Sequence, residues 1–275
     1  MGAVFVDTVT GVSPDPSTVL DALTAQRTRL LALCRSLDDG DWARPTRCDA
    51  WTVHHVVRHL VDVSHIDVAN LLGKPPAFPS DQPFDPVTSP LRWLESSEGA
   101  TPSDTLDAFA RTAEEEQVAF AHAAATLGAR TLRGPYGQIH WTAFLTHVFW
   151  DAWIHERDIV FALGRAHDAE ANEDHLAALY GVLVAAATAT LAGVDIDTVI
   201  ALHGAHPVTV RATARQGAVR ASQVDEPAAL RGELGAVLDA LAGRGAPLAT
   251  VVDGPSETLE PLTWLRAFMA PSPSR

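Results

Sequence analysis

Apolar positions recur at helical spacing through most of the first 165 residues, and the spacing predicts four long helices. From Ser17 to Leu37 they fall at Val19, Leu20, Leu23, Leu30, Leu31, Leu33 and Leu37, after a plausible start at Pro16-Ser17. Thr52 can cap a second helix reaching about Leu72, with Val53, Val56, Val57, Leu60 and Val63 on its core arc. His59 lies at the edge of that arc, whereas His54, Arg58 and His65 point away from it. A third helix is expected from about Ser103 to Leu127, with Ser103 or Asp104 at its start and Gly128 at its end. GPYG then breaks the chain before a fourth, from about His140 to Leu163. The Pro-rich segment GKPPAFPSDQPFDPVTSP reads as a long connection or lid. Four long helices with one long connection describe a four-helix bundle.

After Gly164 the pattern changes. A long Ala-rich helix, about Asn172 to Ala192, precedes the β-branched segments VDIDTVIALHG and HPVTVRATARQGAVRAS, which read as strands. ALRGELGAVLDALAG is expected as another helix, PLATVVDG as a possible strand, and a last helix covers about Leu259 to Met269. This half is α+β and carries no reactive cluster of its own.

The fourth helix carries the candidate chemistry. His147, Asp151 and His155 are each four residues from the next and stack within about 80° of arc. Large apolar residues border the stripe, Val148 and Ile159 on one side and Trp150 and Ile154 on the other. Glu156 and Arg157 fall on the opposite side and are expected in solvent. Ionisable groups buried on such a stripe need partners or a metal. Asp151 and His155 offer a carboxylate and an imidazole from consecutive turns, the arrangement by which a helix binds one ion. A third ligand must come from another helix, and His59 is best placed, although His55 and His59 with Asp62 make a competing set. Two histidines and one carboxylate leave positions open for water or substrate. The alternative is that buried His and Asp satisfy each other by hydrogen bonds.

Composition narrows the function classes. The net charge of −14 argues against general affinity for nucleic acid or anionic membrane. The first residues lack a basic start and a sustained apolar core, and no apolar run is long enough to span a bilayer. Two cysteines, Cys34 and Cys48, give no disulfide framework and fit a reducing cytoplasm. A cytoplasmic protein acting on a small molecule, as monomer or homodimer, is the expectation.

The stretch DDGDWARPTRCDAWTVHHVVRHLVDV, with the later FWDAWIHERDI, resembles the mycothiol-dependent maleylpyruvate isomerase family within the DinB/YfiT-like superfamily. The shared elements are a W…PT.C..WTV…HL run and an E/D-xxx-H helix ending in D-I. The resemblance covers roughly Leu20 to Gly164 and extends faintly through the second half, at LDALAGRGAPLATVVDG. It implies a divalent metal, usually zinc, held by His59 of the HL motif, Asp151 and His155. It also implies a low-molecular-weight thiol, mycothiol, as cosubstrate. A metal-bound thiolate would add to an activated double bond; rotation and expulsion then give isomerisation, whereas addition without expulsion gives S-transfer. The family's isomerases carry Glu where this chain has Asp151, which is shorter by one methylene. The ion would therefore move towards this helix or bind through water.

The organisation expected is a DinB-like metal-binding four-helix bundle over residues 14–165, plus a smaller α+β domain over residues 172–270 that walls or covers the cleft. His147 is read as a hydrogen-bond support for the ligands or a core histidine, and His140 as a cap or a group at the cleft mouth. Cys48, Trp51, Trp150 and Trp153 are read as packing, the run Glu114-Glu115-Glu116 as a solvated face, and Asp158 as holding a ligand imidazole or capping another element. Arg244 could reach an acidic substrate. The leading reading is a thiol-dependent isomerase or S-transferase acting on a small electrophile. The alternatives are a metal-dependent hydrolase or lyase without thiol, and a non-enzymatic metal- or ligand-binding regulator.

Overall fold

The computed structural model describes residues 8–12, 14–75, 85, 88–128, 130–134, 137–191, 193–215, 218–263 and 265. The chain divides into two compact units. One comprises Pro16–Arg130 with Asp151–Asp168, and the other Met1–Asp15, Thr131–Trp150 and Ala169–Arg275. In chain order the elements are β1 (Thr8–Val12), α1 (Pro16–Arg35), α2 (Asp39–Trp42), α3 (Val53–Leu71), α4 (Thr88–Glu95), α5 (Pro102–Thr126), β2 (Thr131–Gly134), β3 (Gly137–His140), α6 (Trp141–Ala162) and α7 (Ala171–Leu191). There follow β4 (Ile196–His203), β5 (Val208–Arg215), β6 (Ala218–Gln223), β7 (Leu230–Glu233), α8 (Leu234–Leu241), α9 (Leu248–Val251), β8 (Val252–Asp253), α10 (Ser256–Leu259) and a 3-10 turn at Glu260–Thr263.

The first unit is helical. Leu30 and Cys34 of α1, Trp42 of α2, Val53, Val56, Val57, Leu60 and Val61 of α3, Phe109 of α5 and Ile159 of α6 bury one core. Burying side chains of this size stabilises by about 1.5–3 kcal/mol each, far more than helix propensity supplies. Thr52 caps α3 as expected, in a capping box with His55, whose Nδ1 accepts from the Thr52 N–H at 3.2 Å. Among the described residues His55 is not in either group whose ligand atoms converge. Helix α5 starts one or two residues before expectation, because Thr101 caps it with Asp104 at the third position and Pro102 in the first turn. Gly128 follows it with φ +52°, which a glycine adopts without strain. Of the Pro-rich connection, residues 76–84 and 86–87 lie outside the described residues, but its end forms α4.

Several polar positions expected in solvent are buried. Glu116 lies inside the unit and pairs with Arg27 at 3.1 Å, while Glu114 and Glu115 are exposed. Arg58 is buried, its guanidinium donating to Ser97 Oγ at 3.0 Å and to the Leu94 carbonyl. On the back of α6, Glu156 is 2% exposed and is clamped by Arg29 through two bonds of 2.7 Å. Burial alone would raise the Glu156 carboxyl, but hydrogen bonds from His167 and Arg29 hold it below the usual range. Arg157 is also buried, its guanidinium lying 4.8 Å from the Trp153 ring. These arginines are covered because each has a carboxylate, carbonyl or ring to satisfy it.

The second unit is built on a six-stranded sheet in the order β1-β6-β5-β4-β7-β8. The β6-β5-β4 meander is antiparallel, while β1/β6 and β4/β7 pair in parallel. Helix α7 is buried nearly all round and packs on β5 and β6, whose residues alternate between buried and more exposed. Two expectations are corrected here. Leu230–Glu233 is strand β7 and not the start of a helix, because it pairs with Ile200–His203. PLATVVDG is mainly the short helix α9, with only Val252 and Asp253 extended. The last helical segment begins at Ser256, and its expected end beyond residue 265 lies outside the described residues. Among the described residues no helix is long and apolar enough to cross a membrane.

Candidate metal centre

His59 stands on α3, and Asp151 and His155 stand on α6, one turn apart. All three lie in the helical unit. Their ligand atoms, one from each residue, fall within 4.8 Å of one another. His59 Nε2 is 3.9 Å from Asp151 Oδ2, and His155 Nε2 is 3.8 Å from Asp151 Oδ1, so the carboxylate presents one oxygen to each ring. The two imidazoles meet edge to face with centroids 4.9 Å apart. Both are buried, and Asp151 is half-buried. Four ligands at about 2.0–2.1 Å around one ion stand roughly 3.3–3.4 Å apart. The two imidazole–carboxylate spacings exceed that value by only about half an ångström each.

Behind this cluster the other nitrogen of His155 has its own partners. Its Nδ1 lies 3.1 Å from Asp158 Oδ2. Cys48 donates its S–H to the same oxygen at 3.1 Å, and its sulfur lies 3.9 Å from the imidazole nitrogen. Arg47 lies on the other oxygen at 3.0–3.1 Å, and its guanidinium packs 4.6 Å from the Phe161 ring. Asp158 is fully buried, so the guanidinium balances a charge that would otherwise be costly there. Cys48, His155 and Asp158 also have metal-ligand chemistry at metal-ligand spacing. In this second set Asp158 is already paired with Arg47, and the three side chains are joined by hydrogen bonds. Burial opposes a charge on His155, but Asp151, Asp158 and Cys48 outweigh it and lift its pKa to about 10.

The loop before α3 delivers three of these groups. Thr46 and Trp51 close it: the Thr46 N–H donates to the Trp51 carbonyl at 2.9 Å, and the Thr46 hydroxyl reaches the same oxygen at 3.0 Å. The Trp51 N–H returns to the Cys48 carbonyl at 3.0 Å. Ala50 takes φ +64° inside this turn, a left-handed conformation costing about 1–2 kcal/mol for a residue with a Cβ. The turn presents Arg47 and Cys48 to Asp158 and places Trp51 against both ligand imidazoles, 5.1 Å from His59 and 6.2 Å from His155. Trp93 of α4 lies parallel to His59 within 6°, 6.5 Å away.

Cys48 packs against the core as expected, but it also has polar partners 107 and 110 residues away, where no local motif could reveal them. Trp51 likewise does more than pack between helices. Trp150 and Trp153 are core residues as expected. His140 caps the start of α6, its Nδ1 accepting from the Thr142 N–H at 3.4 Å. His147 belongs to the sheet-containing unit, where its ring lies 5.5 Å from Tyr180. Arg244 turns onto its own loop and donates to the Ala242 carbonyl at 2.6 Å.

Comparison with known proteins agrees with this architecture. Two solved structures of mycothiol-dependent maleylpyruvate isomerase share the fold. One, a histidine-to-alanine mutant, gives a TM-score of 0.58 at 15% identity over 86% of this chain and 90% of that one. The other gives 0.57 at 16% identity over 84% and 88%. No curated protein gives a significant match. Residues 23–160, half of the chain and containing His59, Asp151 and His155, match the family described as "Mycothiol maleylpyruvate isomerase N-terminal domain". The chain therefore belongs to the mycothiol maleylpyruvate isomerase N-terminal domain family.

Proposed function

We propose that this protein is an enzyme, a metal- and thiol-dependent isomerase or S-transferase that acts on a small electrophilic molecule. Its metal is a divalent ion, zinc in our reading, and its thiol is mycothiol. The relatives of similar fold are named as mycothiol-dependent maleylpyruvate isomerases. In this reading α1, α3, α5 and α6 are the helices of a DinB-like bundle. The observation that carries the proposal is the convergence of His59, Asp151 and His155 within 4.8 Å. Two imidazoles and a carboxylate suit zinc and leave coordination positions open.

A bound divalent ion would supply the charge that keeps a thiol deprotonated near neutral pH. The chain's own residues then have separable tasks. Asp158 holds the N–H on Nδ1 of His155, so that Nε2 keeps its lone pair on the side of Asp151. Arg47 pairs with Asp158 at 3.0 Å and holds it in place. Asp151 reaches both imidazoles despite its short side chain and supplies the one negative charge among the three ligands. The Trp51 indole shields both rings and lowers the local polarity, which strengthens these electrostatic interactions.

Calorimetric titration of the zinc-loaded protein with mycothiol tests the reading. Saturable binding that His155→Ala abolishes is expected. Absence of binding, with turnover of an ester or amide in thiol-free buffer, would overturn it in favour of metal-activated water.

A further inference from the structure

The imidazole of His155 meets ligand atoms through both of its nitrogens. Nε2 lies towards Asp151, whereas Nδ1 lies 3.9 Å from Cys48 Sγ and 3.1 Å from Asp158 Oδ2. The sulfur and that oxygen are themselves 3.1 Å apart. Donor atoms held by one ion at about 2.0–2.3 Å stand roughly 3.3–3.8 Å from one another, and the three separations bracket that range. Cys48, His155 and Asp158 thus converge within the same 4.8 Å as the first ligand set. We infer that these three side chains form a second metal site, and that it takes a soft monovalent cation, Cu+ by its chemistry.

Charge selects the ion. Asp158 is fully buried and His155 nearly so, while Arg47 keeps to the other carboxylate oxygen at 3.0–3.1 Å. Once the thiol has lost its proton, thiolate, carboxylate and guanidinium together leave one negative charge. A monovalent ion brings the cluster to neutrality. A divalent ion leaves a net positive charge where burial makes it costly. Softness points the same way, because thiolate ligands select Cu+ over hard cations. For hydrogen bonding alone sulfur is a poor choice here: a thiol is a weak donor, and a serine hydroxyl would satisfy the buried carboxylate better. Cys48 is half-buried, which gives an ion access to the sulfur. On binding, the thiol releases its proton to solvent. The neutral imidazole keeps its single N–H on Nε2 and turns the Nδ1 lone pair to the ion. Nε2 then has no lone pair for the first site, so the two sites exclude each other through His155. That exclusion alone rests on the metal-dependent function proposed above.

Ag+ is a soft monovalent probe that keeps its oxidation state, and the test titrates it into the purified, chelator-treated protein in chloride-free buffer. One Ag+ per chain is expected, with a thiolate-to-metal band in the ultraviolet difference spectrum. Cys48→Ser should abolish both, and Cys34→Ser should keep both. Asp158→Asn and His155→Ala should each weaken binding by roughly tenfold or more in competition with a small thiol. No Ag+ binding, or binding that survives Cys48→Ser, overturns the inference. Affinity unchanged in both Asp158→Asn and His155→Ala also overturns it, by placing the ion on sulfur alone. Arg47→Met should raise the affinity for Cd2+ by roughly tenfold more than that for Ag+, because a divalent ion feels the removed charge twice. Equal changes for the two ions overturn the monovalent assignment. In zinc-loaded protein Ag+ should expel the zinc, read with a chromophoric chelator, and zinc retained beside bound Ag+ overturns the exclusion. If Ag+ binds as expected but the protein takes up no zinc, the metal-dependent function fails and the Cys48 site stands.

Discussion

His155 Nδ1 lies 3.1 Å from Asp158 Oδ2, one turn further along α6. Because Nδ1 is taken by this carboxylate, the ring turns Nε2 towards Asp151 and His59. Asp158→Asn, which keeps the shape but removes the charge, is expected to weaken zinc binding by about 10- to 100-fold. Competition with a chromophoric chelator measures this, and an unchanged affinity would remove Asp158 from the account.

The lifted pKa of His155 gives a pH dependence with a defined sign. Without metal, its folded-state value of about 10 exceeds the ordinary 6.5. The protonated form thus adds stability that is fully present below 6.5 and lost as the pH rises through 10. Zinc must displace that proton, so at pH 7–8 loading should release about one proton per ion and apparent affinity should rise about tenfold per pH unit. Calorimetry in two buffers of different ionisation enthalpy reads the release directly; none would contradict the assignment.

Asp62 is buried on α3, and burial pushes its carboxyl to about 7 despite the opposing charge of Arg58. For an acid, a folded-state value above the ordinary 3.8 means a penalty that begins above 3.8 and is complete once the pH passes 7. Asp62→Asn should therefore stabilise at pH 8, by about 1–3 kcal/mol, with no gain near pH 4. Thermal melts at the two pH values check it.

The buried pair Arg27–Glu116 joins α1 to α5, and Ser64 of α3 donates to the same carboxylate at 3.1 Å. Arg27→Ala leaves that charge without its partner and should cost about 3–5 kcal/mol. Glu114→Ala on the exposed face should stay within about 0.5 kcal/mol. Chemical denaturation distinguishes the two; equal effects would mean that Glu116 is solvated after all.

Much of the helical unit was legible in the sequence because its signals are local. The apolar period of Val53, Val56, Val57 and Leu60, the Thr52 cap and the Gly128 stop each act within a few residues. The pair Asp151 and His155 was legible for the same reason, being one turn apart. Buried charges were not, since Arg29 and Glu156 are 127 residues apart and Arg27 and Glu116 are 89 apart. Taken singly, each looks like a solvent residue. Cys48 escaped because its chemistry comes from Asp158 and His155 on a distant helix. In the sheet-containing unit Leu230–Glu233 looked helical because it runs directly into α8, and only pairing with β4 makes it a strand.

The central claim is that His59, Asp151 and His155 hold one ion between them. Elemental analysis of the purified wild-type protein, beside a His59→Ala, Asp151→Ala double variant of matched circular dichroism, tests it most directly. The account predicts one divalent ion per wild-type chain and almost none in the double variant. Full occupancy in the double variant would contradict it.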